Sequence, residues 1–229
     1  METHWHLYEK DFFLDLPVEK EKFLSLSTRR SLKKNEFIFY EEDPGESCFY
    51  LETGSVKIFR VTALGKESIF FVRKTGEIFG LAEVIDAKKR KCNAQALTPC
   101  ILYEINKNNF EFLLSQHHSL DRKVIKVLGR RLRYLGEQIE NLMASDVTTR
   151  MLKLLFYLCC HSLIDRASLN KPIKVPINLT QEQMASLTGS CQQTVSESLK
   201  QLQQDGLIQI SKKEIILLNP LQIIDKIDQ

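Results

Sequence analysis

The sequence predicts an α+β fold: an N-terminal antiparallel β-roll, then one long amphipathic helix, then a compact C-terminal unit of short helices and a hairpin. Three observations predict it. Short apolar runs alternate with evenly spaced glycines before residue 106; aliphatic residues recur at spacings of three and four between Ile125 and Leu142; and a helix-capping signal at Thr180 precedes a glycine and a second amphipathic segment.

The roll comes first. The runs FIFY at 37–40, CFYL at 48–51, SVKIF at 55–59, SIFFV at 68–72 and ILYEI at 101–105 each have the length of a strand. Gly45, Gly54, Gly65 and Gly76 lie 9, 11 and 11 residues apart, the interval of strand, turn, strand units. An all-β domain with no ligand would show the same pattern, so it speaks to architecture and not to chemistry.

After Asn106 the period lengthens. NKNNFEFLLSQ reads as a short capped helix, and a longer one starts near Ser119. Within it Ile125, Leu128, Leu132, Leu135, Ile139 and Leu142 follow at spacings of 3, 4, 3, 4 and 3, with Lys126, Arg130, Arg133, Glu137 and Glu140 off that line. This is a heptad seam. A self-complementary stripe favours a symmetric homodimer; packing of the stripe on the chain's own β-roll is the alternative. Gly129 and Gly136 stand one heptad apart beside the seam. Each is either a place where the roll or a ligand approaches the helix backbone or a tolerated weak position costing about 1 kcal/mol. The chain thus divides into a sensor unit at 1–118, a dimerising helix at 119–145 and a C-terminal unit at 146–229. A hinge is expected at the Ser145/Asp146 cap, ahead of the apolar helix MLKLLFYLCCHSL.

Composition narrows the class. With 43% apolar residues, 229 residues are enough for two cores. The N-terminus lacks an apolar signal-peptide core and no run approaches the roughly 20 apolar residues of a membrane span, so a cytoplasmic location with no membrane partner is expected. Six cysteines (Cys48, Cys92, Cys100, Cys159, Cys160, Cys191) occur without a C-x-x-C pair, so no metal or iron-sulfur signature is present and buried thiols are expected. No Ser/His/Asp grouping, G-x-G-x-x-G or phosphate loop points to an enzyme. The net charge of +3 is spread thinly: 17 Lys/Arg against 18 Asp/Glu in 1–118, 6 against 3 in 119–145, and 9 against 8 in 146–229. Any contact with nucleic acid must therefore come from local placement rather than bulk charge.

The most specific stretch is residues 179–219. Thr180 and Gln183 form a capping box before an apolar run, with Ala185 and Leu187 expected to face inward. Gly189 supplies the tight turn between two steeply crossing helices. A second helix is expected from about Cys191 to Gln204, with Val195, Leu199 and Leu202 inside and Gly206 ending it. GLIQIS and EIILLN then alternate around SKK as a two-stranded wing. This is a winged helix-turn-helix. The outer face of the second helix carries Gln192, Gln193, Ser196, Glu197 and Lys200, where a recognition helix enters the major groove of double-stranded DNA. Glutamine can bond adenine N6 and N7, and glutamate can accept from cytosine N4. Thr180, Ser190, Thr194, Lys212 and Lys213 are the expected phosphate contacts.

With these elements in this order, the chain resembles the Crp/Fnr superfamily, the type of the cyclic-AMP receptor protein and the fumarate and nitrate reduction regulator. The resemblance spans residues 12–220. It rests on GSVKIF at 54–59, GEIFGLAEV at 76–84, the heptad helix, DVTTRMLKLL at 146–155 and LTQEQMASLTGSCQQTVSESLKQLQQDGLI at 179–208. It implies a cyclic-nucleotide-binding-like jelly roll that takes a small-molecule effector against the dimer helix and reorients two DNA-binding units on a palindromic operator. It also implies a bacterial-type activator that contacts RNA polymerase, through the loop at 164–171.

The departures from the family pattern bear on the effector. The effector pocket falls on Phe79, Gly80, Leu81, Ala82, Glu83, Arg90, Lys91, Cys92 and Arg131. In cyclic-nucleotide-binding members the segment after FG carries a glutamate for the ribose hydroxyl and then an Arg-Ser pair for the phosphate. Here Leu81 stands at the glutamate's place, Glu83 is displaced, and Lys91-Cys92 replaces Arg-Ser, so cyclic AMP is not expected. Oxygen-sensing members use an N-terminal cysteine group for an iron-sulfur cluster; this N-terminus has none. Haem-binding members use His or Cys, for which His4, His6, Cys48 and Cys92 are the candidates. Some relatives bind small carboxylates near the cassette, where Arg90, Lys91 and Arg131 would supply charge. A thiol switch at Cys92, Cys100 or Cys191 is a further option beside structural cysteines. In the recognition helix the family commonly has Arg where Gln192 stands and often Arg where Glu197 stands, so more A/T-weighted half-sites are expected. A dimeric effector-binding protein that has lost specific DNA binding is the alternative function.

Overall fold

The computed structural model describes residues 11–159, 168–212 and 214–227. Lys213, His4, His6, Cys160 and residues 164–167 of the expected polymerase loop lie outside them. The chain forms two compact units, one ending at Gly129 and one beginning at Arg130.

The first unit opens with α1 (Pro17–Ser25), started by a proline whose missing N–H costs nothing in a first turn. Eight strands follow: β1 (Thr28–Leu32), β2 (Phe37–Phe39), β3 (Ser47–Thr53), β4 (Ser55–Val61), β5 (Glu67–Lys74), β6 (Ile78–Phe79), β7 (Asn93–Ala96) and β8 (Cys100–Asn106), with helix α2 (Leu81–Asp86) between β6 and β7. They make two antiparallel four-stranded sheets in the orders β1-β8-β3-β6 and β2-β7-β4-β5. All five apolar runs became strands. The sequence reading missed β1, β6, β7 and α2.

Two clusters fill this unit. Phe49, Leu51, Val56, Phe79, Ala94, Ala96 and Leu102 close the space between the sheets. Phe12, Phe13, Phe23, Tyr50, Ile78, Leu81, Val84 and Ile105 form the second, together with Phe110 and Leu113 of α3 (Lys107–Gln116) and Leu120, Val124 and Val127 of α4 (His118–Ala144). The cap of α3 is as the sequence predicts: Asn106 Oδ1 accepts from Asn109 N at 2.9 Å. In α4, however, the stripe packed on the roll is Leu120, Val124 and Val127, not the heptad seam. The six seam residues remain 36–71% exposed.

The second unit contains the rest of α4, α5 (Val147–Cys159), a 3-10 turn (Ser168–Asn170), β9 (Ile173–Lys174), α6 (Gln181–Thr188), α7 (Gln192–Gln204), β10 (Ile208–Ser211), β11 (Glu214–Leu217) and α8 (Pro220–Ile227). Asp146 caps α5, its Oδ1 accepting from Thr149 N at 2.7 Å. Seven residues of α5 are buried, Met151, Leu152 and Leu155 among them. The joint before α5 is clamped: Arg150 donates to Ser145 O at 2.6 Å and to Thr188 O at 2.8 Å, and Lys153 donates to Asn141 Oδ1 at 2.5 Å. The hairpin is not a two-stranded wing. Residues 173–174, too short to show a period, add a third strand in the order β10-β11-β9.

Candidate nucleic-acid interface and effector site

Local chemistry builds the helix pair of the second unit. Thr180 Oγ1 accepts from Gln183 N at 3.1 Å while Gln183 Oε1 accepts from Thr180 N at 2.9 Å, completing the capping box. Met184, Ala185 and Thr188 are the inward residues of α6, while Leu187 is only half-buried. Thr188 can face inward because its hydroxyl donates to Met184 O at 2.8 Å, leaving no unpaired hydroxyl in the core. Gly189 ends α6 with φ of 60°, the left-handed conformation glycine adopts without strain.

Helix α7 buries Val195, Ser198, Leu199 and Leu202. Ser198 is accommodated by the Thr148 hydroxyl of α5 at 3.1 Å, a contact no sequence period signals. The opposite face leaves Gln192, Gln193, Glu197 and Lys200 exposed, with Thr194 and Ser196 half-buried beside them. Gln193 Nε2 donates to Glu197 Oε1 at 3.1 Å. Lys200 makes no ion pair among the described residues. Cys191 is the residue ahead of α7; its Sγ lies 3.1 Å from Thr194 Oγ1, and that contact with the Thr194 hydroxyl and backbone lowers the thiol's pKa. Thr180 is exposed, Ser190 half-buried, and Lys212 exposed in the hairpin turn with φ of 48°.

The roll's cassette is arranged differently from the sequence reading. Phe79 and Leu81 are buried in the core, Ala82 is exposed, and Glu83 is partly covered. The cation inside the roll is Arg90, 1% exposed, and not Lys91, whose side chain is 74% exposed and lies 3.7 Å from Glu42. The cause is a pairing distant in sequence. Arg90 N donates to Asp43 O at 2.8 Å beside the Pro44–Lys89 bridge, which turns residue 90 inward and residues 89 and 91 outward. Cys92 is half-buried, and burial with Glu83 nearby pushes its thiol up to about 11. Arg131 belongs to the other compact unit.

The Arg90 guanidinium is already engaged. Nη1 donates to Gly80 O at 3.1 Å and Glu83 Oε2 at 3.2 Å, and Nη2 donates to Ser47 O. The group stacks over Phe39, 4.3 Å from the ring centre, and lies 5.7 Å from that of Phe49. A Cβ at Gly80 would stand 3.0 Å from Nη1, so glycine there lets the head seat. Burial lowers the Arg90 pKa and the Glu83 carboxylate opposes that shift. Only Nε is left without a partner. Ser47, Phe39 and Phe49 were not foreseen as its partners; each reads as an ordinary strand residue. Cys48 is fully buried and its thiol is pushed up by that burial.

Among the described residues no group of three or more His, Cys, Asp and Glu is placed to hold a metal ion, and no helix is long and apolar enough to cross a membrane. Comparison with known proteins places this geometry. Residues 29–117 match the cyclic nucleotide-binding domain and residues 149–223 the Crp-like helix-turn-helix domain. The chain is 27% identical over 192 residues to the global nitrogen regulator of Synechocystis sp., covering 83% of this chain and 84% of that one. It is 24% identical to the CRP-like cAMP-activated global transcriptional regulator of Mycobacterium tuberculosis, over 79% of each. In fold it is similar to FixK2 from Bradyrhizobium japonicum, with TM-score 0.75, 20% identity, and coverage of 87% of this chain and 96% of that one. The two curated relatives are named as regulators and not as enzymes. With both domains in this order along the chain, the protein belongs to the Crp/Fnr superfamily of DNA-binding transcription regulators.

Proposed function

We propose that the protein works in the cytoplasm as a homodimer that binds a palindromic operator, one α7 in each of two major grooves about one helical turn apart. The observation that carries this reading is a pair of open surfaces: a heptad seam left uncovered along α4, and a polar face left uncovered along α7. An exposed aliphatic stripe of this length is unfavourable in water until a second copy covers it. Gln192, Gln193, Ser196, Glu197 and Lys200 read bases; Thr180, Ser190, Thr194, Lys212 and Lys213 hold phosphates.

A signal at the roll shifts a two-state equilibrium between dimers whose reading helices are wrongly and rightly spaced. A small molecule other than cyclic AMP, such as a small carboxylate, or a thiol redox change supplies that signal. Leu81 and the engaged Arg90 support this choice. Activation then follows from contact with RNA polymerase. The alternative of a dimer that has lost DNA binding is not favoured by relatives that retain the helix-turn-helix. Gel shift at rising salt tests the proposal: selected operator DNA should be bound by a dimer, with affinity falling steeply as salt rises. A monomer by light scattering, or no preference for any duplex, would refute it.

A further inference from the structure

Arg150 lies in the stretch DVTTRMLKLL, to which the proposed function gives no task. Its guanidinium joins two backbone carbonyls that no backbone N–H among the described residues reaches. Nη1 donates to Ser145 O at 2.6 Å and Nε to Thr188 O at 2.8 Å. Ser145 follows α4 directly, and Thr188 is the last residue of α6, four positions before α7 begins. A carbonyl at a helix C-terminus carries the negative end of the helix dipole, so a cation is its favoured partner. One side chain thus spans the end of the long helix and the corner from which α7 departs.

The other contacts around this joint act elsewhere. Tyr157 stacks on Tyr134 with ring centres 4.9 Å apart, and Lys153 donates to Asn141 Oδ1 at 2.5 Å; both tie α5 to α4. Thr148 meets Ser198 at 3.1 Å and ties α5 to α7. Leu142 lies beside Gly189, but an apolar contact has no preferred direction. Resting on the reading of α7 as the DNA-reading helix of a dimer, we infer that Arg150 is its positioning residue. It fixes the angle between α7 and α4, and through that angle the separation of the two reading helices. The planar guanidinium holds both carbonyls in set directions, which a point charge on a flexible lysine stem does not. Arg150 reads no base itself; it narrows the range of half-site spacings that the dimer accepts.

The experiment uses the full-length protein and its own thiol. Cys191, exposed just ahead of α7, is spin-labelled in a Cys92→Ser, Cys160→Ser background, in which the buried Cys48, Cys100 and Cys159 stay unlabelled. The distance distribution between the two labels of the dimer is then measured. Arg150→Met should widen it about two-fold or more, and Arg150→Lys by less, with helical content and dimer mass unchanged. On DNA, adding or removing one base pair between the half-sites should cost the wild type about ten-fold or more in affinity, and Arg150→Met less than about three-fold. A purely structural arginine would lower the urea midpoint of both variants and move neither the width nor the spacing preference. That result overturns the inference, and if Arg150→Met does not fold, the lysine variant decides alone. A wild type whose labels show no coupling is not a dimer, which overturns the proposed function and this inference together. Coupling without preference for any duplex overturns only the DNA-reading role of α7, and the width of the distribution still decides the place of Arg150.

Discussion

In the β-roll the charged groups turn inward and close on one another; in the reading unit they turn outward and stay open. Arg90, Glu83, Ser47 and Gly80 satisfy each other around a guanidinium that is 1% exposed. On α7 the side chains of Gln192 and Lys200 have no partner of that kind, and Gln193 and Glu197 are satisfied only in part. Both regions carry family motifs of comparable clarity. The difference teaches that a motif's polar residues indicate a binding surface only where folding has left their hydrogen-bonding capacity unused.

The contrast can be broken, beginning with the largest effect. In the proposed dimer, Leu132→Glu removes one leucine from each of two facing helices and sets like charges against each other. At about 1.5–3 kcal/mol per buried leucine, the dimer dissociation constant should rise at least roughly 100-fold, with operator binding lost in parallel. Sedimentation of wild type and variant at matched concentrations checks it, and an unchanged dimer would mean the open seam is not the interface.

Arg90→Ala comes next. It leaves the Glu83 carboxylate and two carbonyls without their donor, at a cost of about 3–5 kcal/mol in urea unfolding, nearer the lower value because Glu83 is not fully buried. A double Arg90→Leu, Glu83→Leu variant should lose less than the single. If wild-type stability instead rises with added cyclic AMP, the arginine is available to a ligand and the contrast between the two regions fails.

Smaller effects sharpen the picture. Thr180→Ala should cost about 1 kcal/mol by opening the capping box of α6, with DNA affinity reduced and dimerisation untouched. Of the cysteines, Cys191 should be alkylated before Cys92 in the native protein near neutral pH, since its thiol is lowered and exposed while that of Cys92 is pushed up to about 11. Mapping the first modified peptide settles the order. The smallest effect concerns Asp146, whose carboxyl is held below its ordinary 3.8 by the Thr149 N–H. A lowered folded pKa means that the stabilisation is complete above 3.8 and disappears as pH falls through the lower value. Asp146→Asn should flatten that acid limb of the stability profile, and an identical limb in the variant would show that the cap is not its source.

Much of this was legible in the residues because the causes are local. The capping box at Thr180 and Gln183, the cap at Asp146 and the buried Val195, Leu199 and Leu202 all follow from spacings within one or two turns. The strands that escaped notice are stabilised from elsewhere. TRRSL has two adjacent arginines and a single apolar residue, and becomes β1 because every residue pairs with β8; NAQA becomes β7 because it lies between β2 and β4. Likewise, nothing near Lys91 says that it points outward. That follows from the bridge between Pro44 and Lys89, 45 residues apart. The inward place of Thr188 instead of Leu187 depends on a hydrogen bond that hydrophobic patterning does not count.

The turn at Gly189 has a consequence for how such a regulator could be retuned. A single methyl group there would stand 2.7 Å from Leu142 Cδ2, at the end of the long helix, on a backbone already in a conformation that disfavours side chains. Leu142 is 55% exposed and its methyl tip can turn aside, so the cost of that methyl lies in the backbone and not in the contact. A side chain at position 189 therefore strains the corner between α6 and α7 through its left-handed backbone, at about 1–2 kcal/mol, and leaves the exposed face of α7 unaltered.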